Sequence, residues 1–316
     1  MVQTIDLEFL GQPGVIATAV LPCDGGVLLV DPGPGTCLPA LTRGLTATGL
    51  SWSDVRGLLI THIHFDHAGA TGTLVGRHPE LPVYVHRVGA KHLAEPEKLV
   101  ASATRLYGAD MDRLWGEFLA VPADALRPLA GGETLTIGGR VIDVAYTPGH
   151  ASHHVSYFDR ASGTAFVGDT GGIRVAGPHA FAPTPPPDID IPMWVASLDR
   201  VAAWSPASLF VTHFGQYDDA MAHLARFRDT LQRSAAVACD LLKGGADLDE
   251  ATLTARWVAW LRQDVRAHGA SEAQARAAEA AAPFDQVWQG IARYWRKRVE
   301  REGPGALDAP LAERGV

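Results

Sequence analysis

The chain has 316 residues, 47% of them hydrophobic and 20% charged, which is the usage of one large globular domain or one domain with an appendage and excludes a disordered or fibrous chain. A net charge of −8 argues against wholesale binding of nucleic acid, which needs a basic surface. No apolar run reaches the roughly 18 residues that cross a bilayer, and Asp6 and Glu8 stand where a signal peptide carries positive charge, so a cytoplasmic protein without membrane association is expected.

From Val15 the pattern is one of short apolar runs bounded by glycine and proline. Val15 to Leu21 and Gly26 to Val30 read as strands of a hairpin, and Leu38 to Gly49 as a helix. Gly57 to Ile60 is a short buried strand running into Thr61-His62-Ile63-His64-Phe65-Asp66-His67, followed by a helix to Gly76 and a strand over Pro82 to His86. Residues 96–119 read as a helical, aromatic-rich insertion. Strands are expected over Thr134 to Ile137, Val141 to Tyr146, His154 to Phe158 and Thr164 to Val167. The proline-rich run from Ala182 to Asp188 must be extended and is expected to cross the surface. A helix around Met193 to Trp204 and a strand over Leu209 to Thr212 close this part.

Beyond His213 the pattern is helical. Met221 to Lys243 carries Leu224, Phe227, Leu231 and Leu241 on one side, and Asp247/Glu250 and Ser271/Gln274 have the spacing of capping boxes that start two further helices. The last helix presents Phe284, Trp288, Ile291 and Trp295 along one face. Its basic cluster, Arg293, Arg296, Lys297, Arg298 and Arg301, reads as a solvated helix end. The expected division is residues 1–217 as a catalytic domain and 218–316 as a helical extension that covers the substrate or forms a homodimer interface. Three scattered cysteines, Cys23, Cys37 and Cys239, provide neither a disulfide framework nor a thiolate metal site.

The chemistry concentrates in His62-Ile63-His64-Phe65-Asp66-His67. In extended backbone, residues two apart leave the same side, so His62 and His64 depart the strand end together, and Asp66 and His67 follow as the chain turns into a helix. Imidazole suits zinc and iron while carboxylate suits harder ions, so the quartet offers ligands for two metals. Three more candidates end apolar strands: His150 after Thr147-Pro148-Gly149, Asp169 after Gly168, and His213 after Thr212. Together they make seven ligands, enough for a two-metal site with an open position for water.

This set resembles the metallo-β-lactamase superfamily: the His-x-His-x-Asp-His loop, the Thr-Pro-Gly-His turn, the Gly-Asp-Thr turn and the last strand-borne histidine occur in that family's order between Asp31 and His213. The resemblance implies an α/β fold, a four-layer αββα sandwich, here with a C-terminal helical extension. It assigns His62, His64 and His150 to one metal and Asp66, His67 and His213 to a second, with Asp169 bridging. The cofactors implied are two divalent ions, zinc foremost, with iron or manganese as alternatives. Water held between two dications loses a proton near neutral pH, so the nucleophile is a bridging hydroxide. Asp66 is a ligand and can also orient that nucleophile or take its proton.

The resemblance assigns Asp31, in Val30-Asp31-Pro32-Gly33, to holding the histidine loop from behind; His154 is expected to hydrogen-bond the scaffold, while His153 reads as incidental. Arg174, shortly after the Asp169 turn, can meet an anionic substrate group or sit in an ion pair. The resemblance implies a glyoxalase II-like or thioesterase-like hydrolase acting on a small-molecule thioester or ester. Lactone or phosphodiester hydrolysis, single-iron dioxygenase chemistry and a partner-binding protein with vestigial activity are the alternatives. Trp257, Trp260, Phe284, Trp288 and Trp295 can wall an acyl pocket or pack the helices together.

Overall fold

The computed structural model describes residues 1–177 and 179–308, and at residues 175 and 176 the backbone alone. The first sheet has the order β1 (Gln3–Asp6), β2 (Ala17–Cys23), β3 (Gly26–Val30), β4 (Val55–Leu59), β5 (Val83–His86) and β6 (Leu126–Leu129). β1 to β3 pair antiparallel, whereas β3 to β6 run parallel, joined through helices α1 (Leu38–Ala47), α2 (Phe65–Ala68), α3 (Thr71–Arg77), α4 (Arg87–Ala94), α5 (Glu97–Tyr107) and α6 (Met111–Leu114). The second sheet is built from β7 (Thr134–Ile137), β8 (Arg140–Tyr146), β9 (Val155–Asp159), β10 (Thr164–Phe166) and, after a separate ribbon of β11 (Ile173–Ala176) and β12 (His179–Phe181), β13 (Ser208–Val211) and β14 (Gly215–Tyr217). Its order is β14-β13-β10-β9-β8-β7, with β10 and β13 parallel and the other neighbours antiparallel.

Alternation along the strands decides which side chains meet between the sheets. Ala17, Ala19 and Leu21 of β2, Leu28 and Val30 of β3 and Leu59 of β4 share one core with Ile142 and Val144 of β8, Val155 and Tyr157 of β9, Phe166 of β10 and Phe210 of β13. At the site end of this core the Tyr157 hydroxyl reaches the carbonyls of Ile60 and Tyr84 at 2.9 and 3.0 Å, which ties the second sheet to the ends of β4 and β5. The insertion is helical only to Leu114, and Trp115 to Ala120 continue without regular structure.

Five helices follow the same logic later in the chain: α7 (Ile191–Ala203), α8 (Ala220–Gly244), α9 (Glu250–Ala267), α10 (Glu272–Ala281) and α11 (Phe284–Glu302). Ser271 and Gln274 form the expected capping box, but α9 is capped by Asp249, whose side chain accepts from Thr252 N, and not by Asp247. Trp257, Phe284, Trp288 and Trp295 are buried among these helices: Trp257 and Trp288 lie 5.7 Å apart, Phe284 meets Phe181 edge-on, and Trp295 Nε1 donates to the Ala235 carbonyl. These four pack the helices together, and Trp260, only half-buried, lies against Trp257 at 4.9 Å between ring centres. Of the basic cluster, Arg293, Arg296, Lys297 and Arg301 are exposed as expected, and the last three pair with Glu250, Glu300 and Glu302; Arg298 departs from that reading, being buried over the Trp295 ring and paired with Glu302.

The chain forms two compact units that interleave along the sequence. One comprises Met1–Tyr146, His153–Gly168 and Pro206–Asp218 and contains both six-stranded sheets; the other comprises Thr147–Ser152, Asp169–Ser205 and the chain from Asp219 onward. Residues 147–152 and 169–205, which a single cut at 217/218 assigns to the first part, thus pack with the C-terminal helices.

Candidate metal centre

The sheet-bearing unit supplies five of the seven candidate ligands from the C-terminal ends of β4 and β13. The preceding buried strand residues Leu58, Leu59 and Ile60 deliver Thr61 and His62 into the interior, and α2 begins at Phe65 so that Asp66 and His67 lie in its first turn. Phe65 is held by Phe118 at 4.5 Å and Trp115 at 6.2 Å between ring centres, so the insertion walls the histidine loop. At the end of α5, the Tyr107 phenol is raised in pKa by burial and by the charge of Asp66, which places this helix end beside the loop as well. Trp115 and Tyr107 were not singled out by sequence reasoning; the only signal was the aromatic density of the insertion.

Asp31 organises this end of the unit. It follows β3 with a left-handed φ of 52°, a conformation that Asp tolerates better than most residues. Its buried carboxylate accepts hydrogen bonds from Thr61 N (2.8 Å), Thr61 Oγ1 (2.7 Å), Thr212 Oγ1 (2.8 Å) and His67 Nδ1 (2.8 Å). The histidine loop and the end of β13 thereby share one anchor.

The tautomers follow from these bonds. His67 Nδ1 donates to Asp31 and His213 Nδ1 to the Val15 carbonyl at 2.8 Å, so both Nε2 atoms carry lone pairs. They face Asp66 Oδ2 at 3.6 and 3.2 Å, and one ligand atom from each of the three residues lies within 4.8 Å of the others. His62 Nδ1 turns to Thr61 Oγ1 at 3.2 Å, while its Nε2 sits 3.0 Å from His64 Nδ1. Two ligands on one tetrahedral zinc stand about 3.3 Å apart, so these spacings fit a donor set for cations. His154 is fully buried and stacks on His62 at 4.9 Å. His153, read as incidental, is also buried and meets His64 edge-on at 5.4 Å; its place beside His154 was the signal for it.

The helical unit holds His150 and Asp169. His150 Nδ1 donates to the Pro183 carbonyl at 2.9 Å, and its Nε2 lies 3.4 Å from Asp169 Oδ2. The strap carrying Pro183 is extended, as its prolines require, but residues 181–184 are buried and not on the surface. Thr184 Oγ1 donates to the Val287 carbonyl of α11 at 2.7 Å, and Gly290 lets α11 close on the strap, since a Cβ there would stand 1.8 Å from Thr184 O. The Asp169 turn is fixed by Trp194 Nε1 to Thr170 O (2.9 Å), by Thr170 Oγ1 to Thr147 O (3.1 Å) and by His223 Nε2 of α8 to Gly171 O (2.7 Å). Arg174 is engaged in the same network: its guanidinium takes Asp219 at 2.7 Å, His223 Nδ1 at 3.1 Å and the Gly177 carbonyl at 2.7 Å, and only 6% of the residue is exposed. The ion-pair reading of Arg174 is the one its geometry supports.

The fold is shared with known proteins. A family model described as the metallo-beta-lactamase superfamily matches residues 15–213. The chain is similar to the metallo-beta-lactamase fold-containing protein ST1585 of Sulfurisphaera tokodaii, 31% identical over half of this chain and 60% of that protein, and to a hydroxyacylglutathione hydrolase of Hahella chejuensis, 31% identical over 46% of this chain and 43% of that one. It thus spans less than two thirds of the length of these relatives. Among solved structures, the metallo-beta-lactamase family protein TTHA1429 of Thermus thermophilus superposes with a TM-score of 0.68 at 22% identity, covering 96% of this chain and 94% of that one. The ST1585 structure superposes with a TM-score of 0.60 at 23% identity, over 74% and 85% of the two chains. At these identities the structures establish the fold.

Proposed function

The chain belongs to the metallo-β-lactamase superfamily and has its α/β sandwich fold, and from that premise we propose that it is a binuclear metal-dependent hydrolase of ester-type bonds, acting first on a small-molecule thioester or ester. The observation that carries the reading is the convergence of Asp66 Oδ2 with the Nε2 atoms of His67 and His213, each ring turned by a second hydrogen bond so that a lone pair is presented. In the proposal His62, His64, His150 and Asp169 complete a set for two divalent ions, with zinc fitting the imidazole-rich donors best.

Bound divalent ions supply a water acidic enough to react near neutral pH and polarise the oxygen of the group attacked. The chain's residues do the rest. Asp31 and Val15 O fix the two ring orientations, so little reorganisation remains for the reaction itself. Asp66, whose side chain is 17% exposed while His67 is closed off, is the group of this trio that water and substrate can reach. It is placed to hold the attacking water by a carboxylate oxygen and to take its proton. The hydroxyacylglutathione hydrolase relatives, themselves named for a thioester substrate class, support the thioester choice over the part they share.

The test is turnover by metal-loaded protein on thioesters, esters, lactones and phosphodiesters. Thioester or ester hydrolysis, lost in Asp169→Ala with the circular dichroism spectrum retained, is expected. Activity confined to lactones or phosphodiesters would replace the substrate class. Inactivity on all four with two metals bound would favour a binding protein, and one iron with oxygen consumption would favour a dioxygenase.

A further inference from the structure

One buried imidazole beside the histidine loop belongs to none of the ligand motifs. His153 lies in the sheet-bearing unit, two residues before β9, and only 8% of it is exposed. Its segment runs alongside the loop. Val155 N donates to the Thr61 carbonyl at 2.8 Å. Two residues on in the loop and two back in the other segment, the spacing of an antiparallel pairing, the next donor is Ile63 N. Its acceptor is not a backbone carbonyl but His153 Nδ1, at 3.4 Å.

Ile63 stands between His62 and His64 and is fully buried, so without that nitrogen its N–H loses its acceptor away from water. A ring nitrogen that accepts carries no proton, which puts the proton of this imidazole on Nε2. His153 thus offers an N–H on its far side where a metal ligand offers a lone pair. It supports the donor set and does not join it. The ring is held close: it meets His64 edge-on at 5.4 Å and lies within 11° of parallel to His62, with centres 6.1 Å apart. From behind, α4 closes on the pair, since a Cβ on Gly89 would stand 2.7 Å from Ile63 Cγ2 and 3.6 Å from His153 Cβ. His62 Nε2 and His64 Nδ1 lie 3.0 Å apart, so a small turn of the backbone between them decides whether both can face one ion.

We propose that His153 is a positioning residue for the candidate metal centre: by accepting the Ile63 N–H it holds the backbone between His62 and His64, and with it the directions in which these two imidazoles meet an ion. The assignment rests on the binuclear reading of the site. Groups that orient ligands in this way are worth about 10–100-fold in metal affinity or activity.

The experiment uses the full chain, stripped with chelator and titrated with cobalt(II), whose visible absorption reports the arrangement of its ligands. His153→Asn keeps an acceptor as far from the backbone as Nδ1, His153→Gln carries it one bond further out, and His153→Phe keeps a ring without an acceptor. Amide exchange at Ile63 in the metal-free protein reads the hydrogen bond itself, and metal-free Tm reads the scaffold. Asn is expected to keep the protection of Ile63, the wild-type absorption per bound cobalt and the affinity. Gln and Phe are expected to lose the protection, shift the absorption and weaken cobalt binding about tenfold or more. If His153→Phe does not fold, the difference between Asn and Gln decides alone. Unmoved absorption and affinity in Gln and Phe, with only Tm lowered, would make His153 a scaffold residue; equal losses in all three variants would assign the effect to the ring's bulk. Either result overturns the assignment. A wild type that takes up no cobalt would instead overturn the binuclear reading on which it rests.

Discussion

The Nδ1 atom of His67 lies 2.8 Å from Asp31 Oδ2, with both side chains fully buried. The same carboxylate holds Thr61 and Thr212, so the loop that carries four candidate ligands and the strand that carries His213 cannot shift independently. Asp31→Ala leaves four buried donors without their acceptor and imposes the left-handed backbone on alanine. A loss of about 3 kcal/mol or more is expected from unsatisfied donors at about 1–3 kcal/mol each. Urea unfolding of the metal-free protein measures it, and an unchanged midpoint would contradict the role of Asp31. Asp31→Asn keeps one acceptor oxygen and is expected to fall between the two.

Gly290→Ala is expected to disturb His150 from a distance. The new Cβ meets Thr184 O at 1.8 Å and Pro185 C at 2.8 Å, both backbone atoms that cannot rotate away. Overpacking of this kind costs about 1–3 kcal/mol, and it displaces the strap whose Pro183 carbonyl orients His150. Reduced stability together with weaker metal retention on dialysis is the expected pair of effects. Lower stability with full metal retention would separate α11 from the ligand.

Burial, reinforced by the neighbouring Arg174 guanidinium, lowers the pKa of His223 to about 4, although its bond to Gly171 O acts in the opposite direction. A histidine in the unfolded chain titrates near 6.5. The unfolded state therefore binds the proton first: the stability associated with neutral His223 is complete above pH 6.5 and is lost as pH falls toward 4, by about 3 kcal/mol in all. His86, also lowered to about 4 by burial and then by Arg87, contributes with the same sign. The informative measurement is therefore a difference, Tm against pH for the wild type and for His223→Leu. The variant should show the shallower fall between pH 6.5 and 4; parallel curves would remove His223 from the account.

Removal of divalent ions is expected to lower Tm and their return to restore it, because ligands that bind only the folded state add stability by mass action, about 4 kcal/mol at a thousandfold excess over Kd. A Tm indifferent to chelator in a protein shown to have carried metal would contradict the donor geometry of Asp66, His67 and His213.

The histidine loop, His150, Asp169 and His213 were legible because each closes an apolar strand, and strand ends are marked locally by glycine, proline and threonine. Most strands of the two sheets were legible for the same reason. β1, β6, β11, β12 and β14 were not: each is three or four residues long and a polar, charged or proline residue interrupts its apolar run. His223 carried no local mark, since it sits on a helix face beside Leu224 and Phe227 and its partners Gly171 and Arg174 come from another part of the chain. The strap was legible as extended but not as buried, because what covers it is Gly290, a residue whose sequence signal is the absence of a side chain.

The interleaving of the two units sets an order on synthesis. His150 emerges from the ribosome early, but the carbonyl that aims it is pinned by Thr184 to Val287 of α11, made more than a hundred residues later. Contacts this far apart in sequence close late in folding. A nascent chain stopped after Asp218 would therefore display His62, His64, Asp66 and His67 on a nearly complete pair of sheets while His150 still lacked its support. Metal uptake measured on such stalled chains should be weaker than on the finished protein.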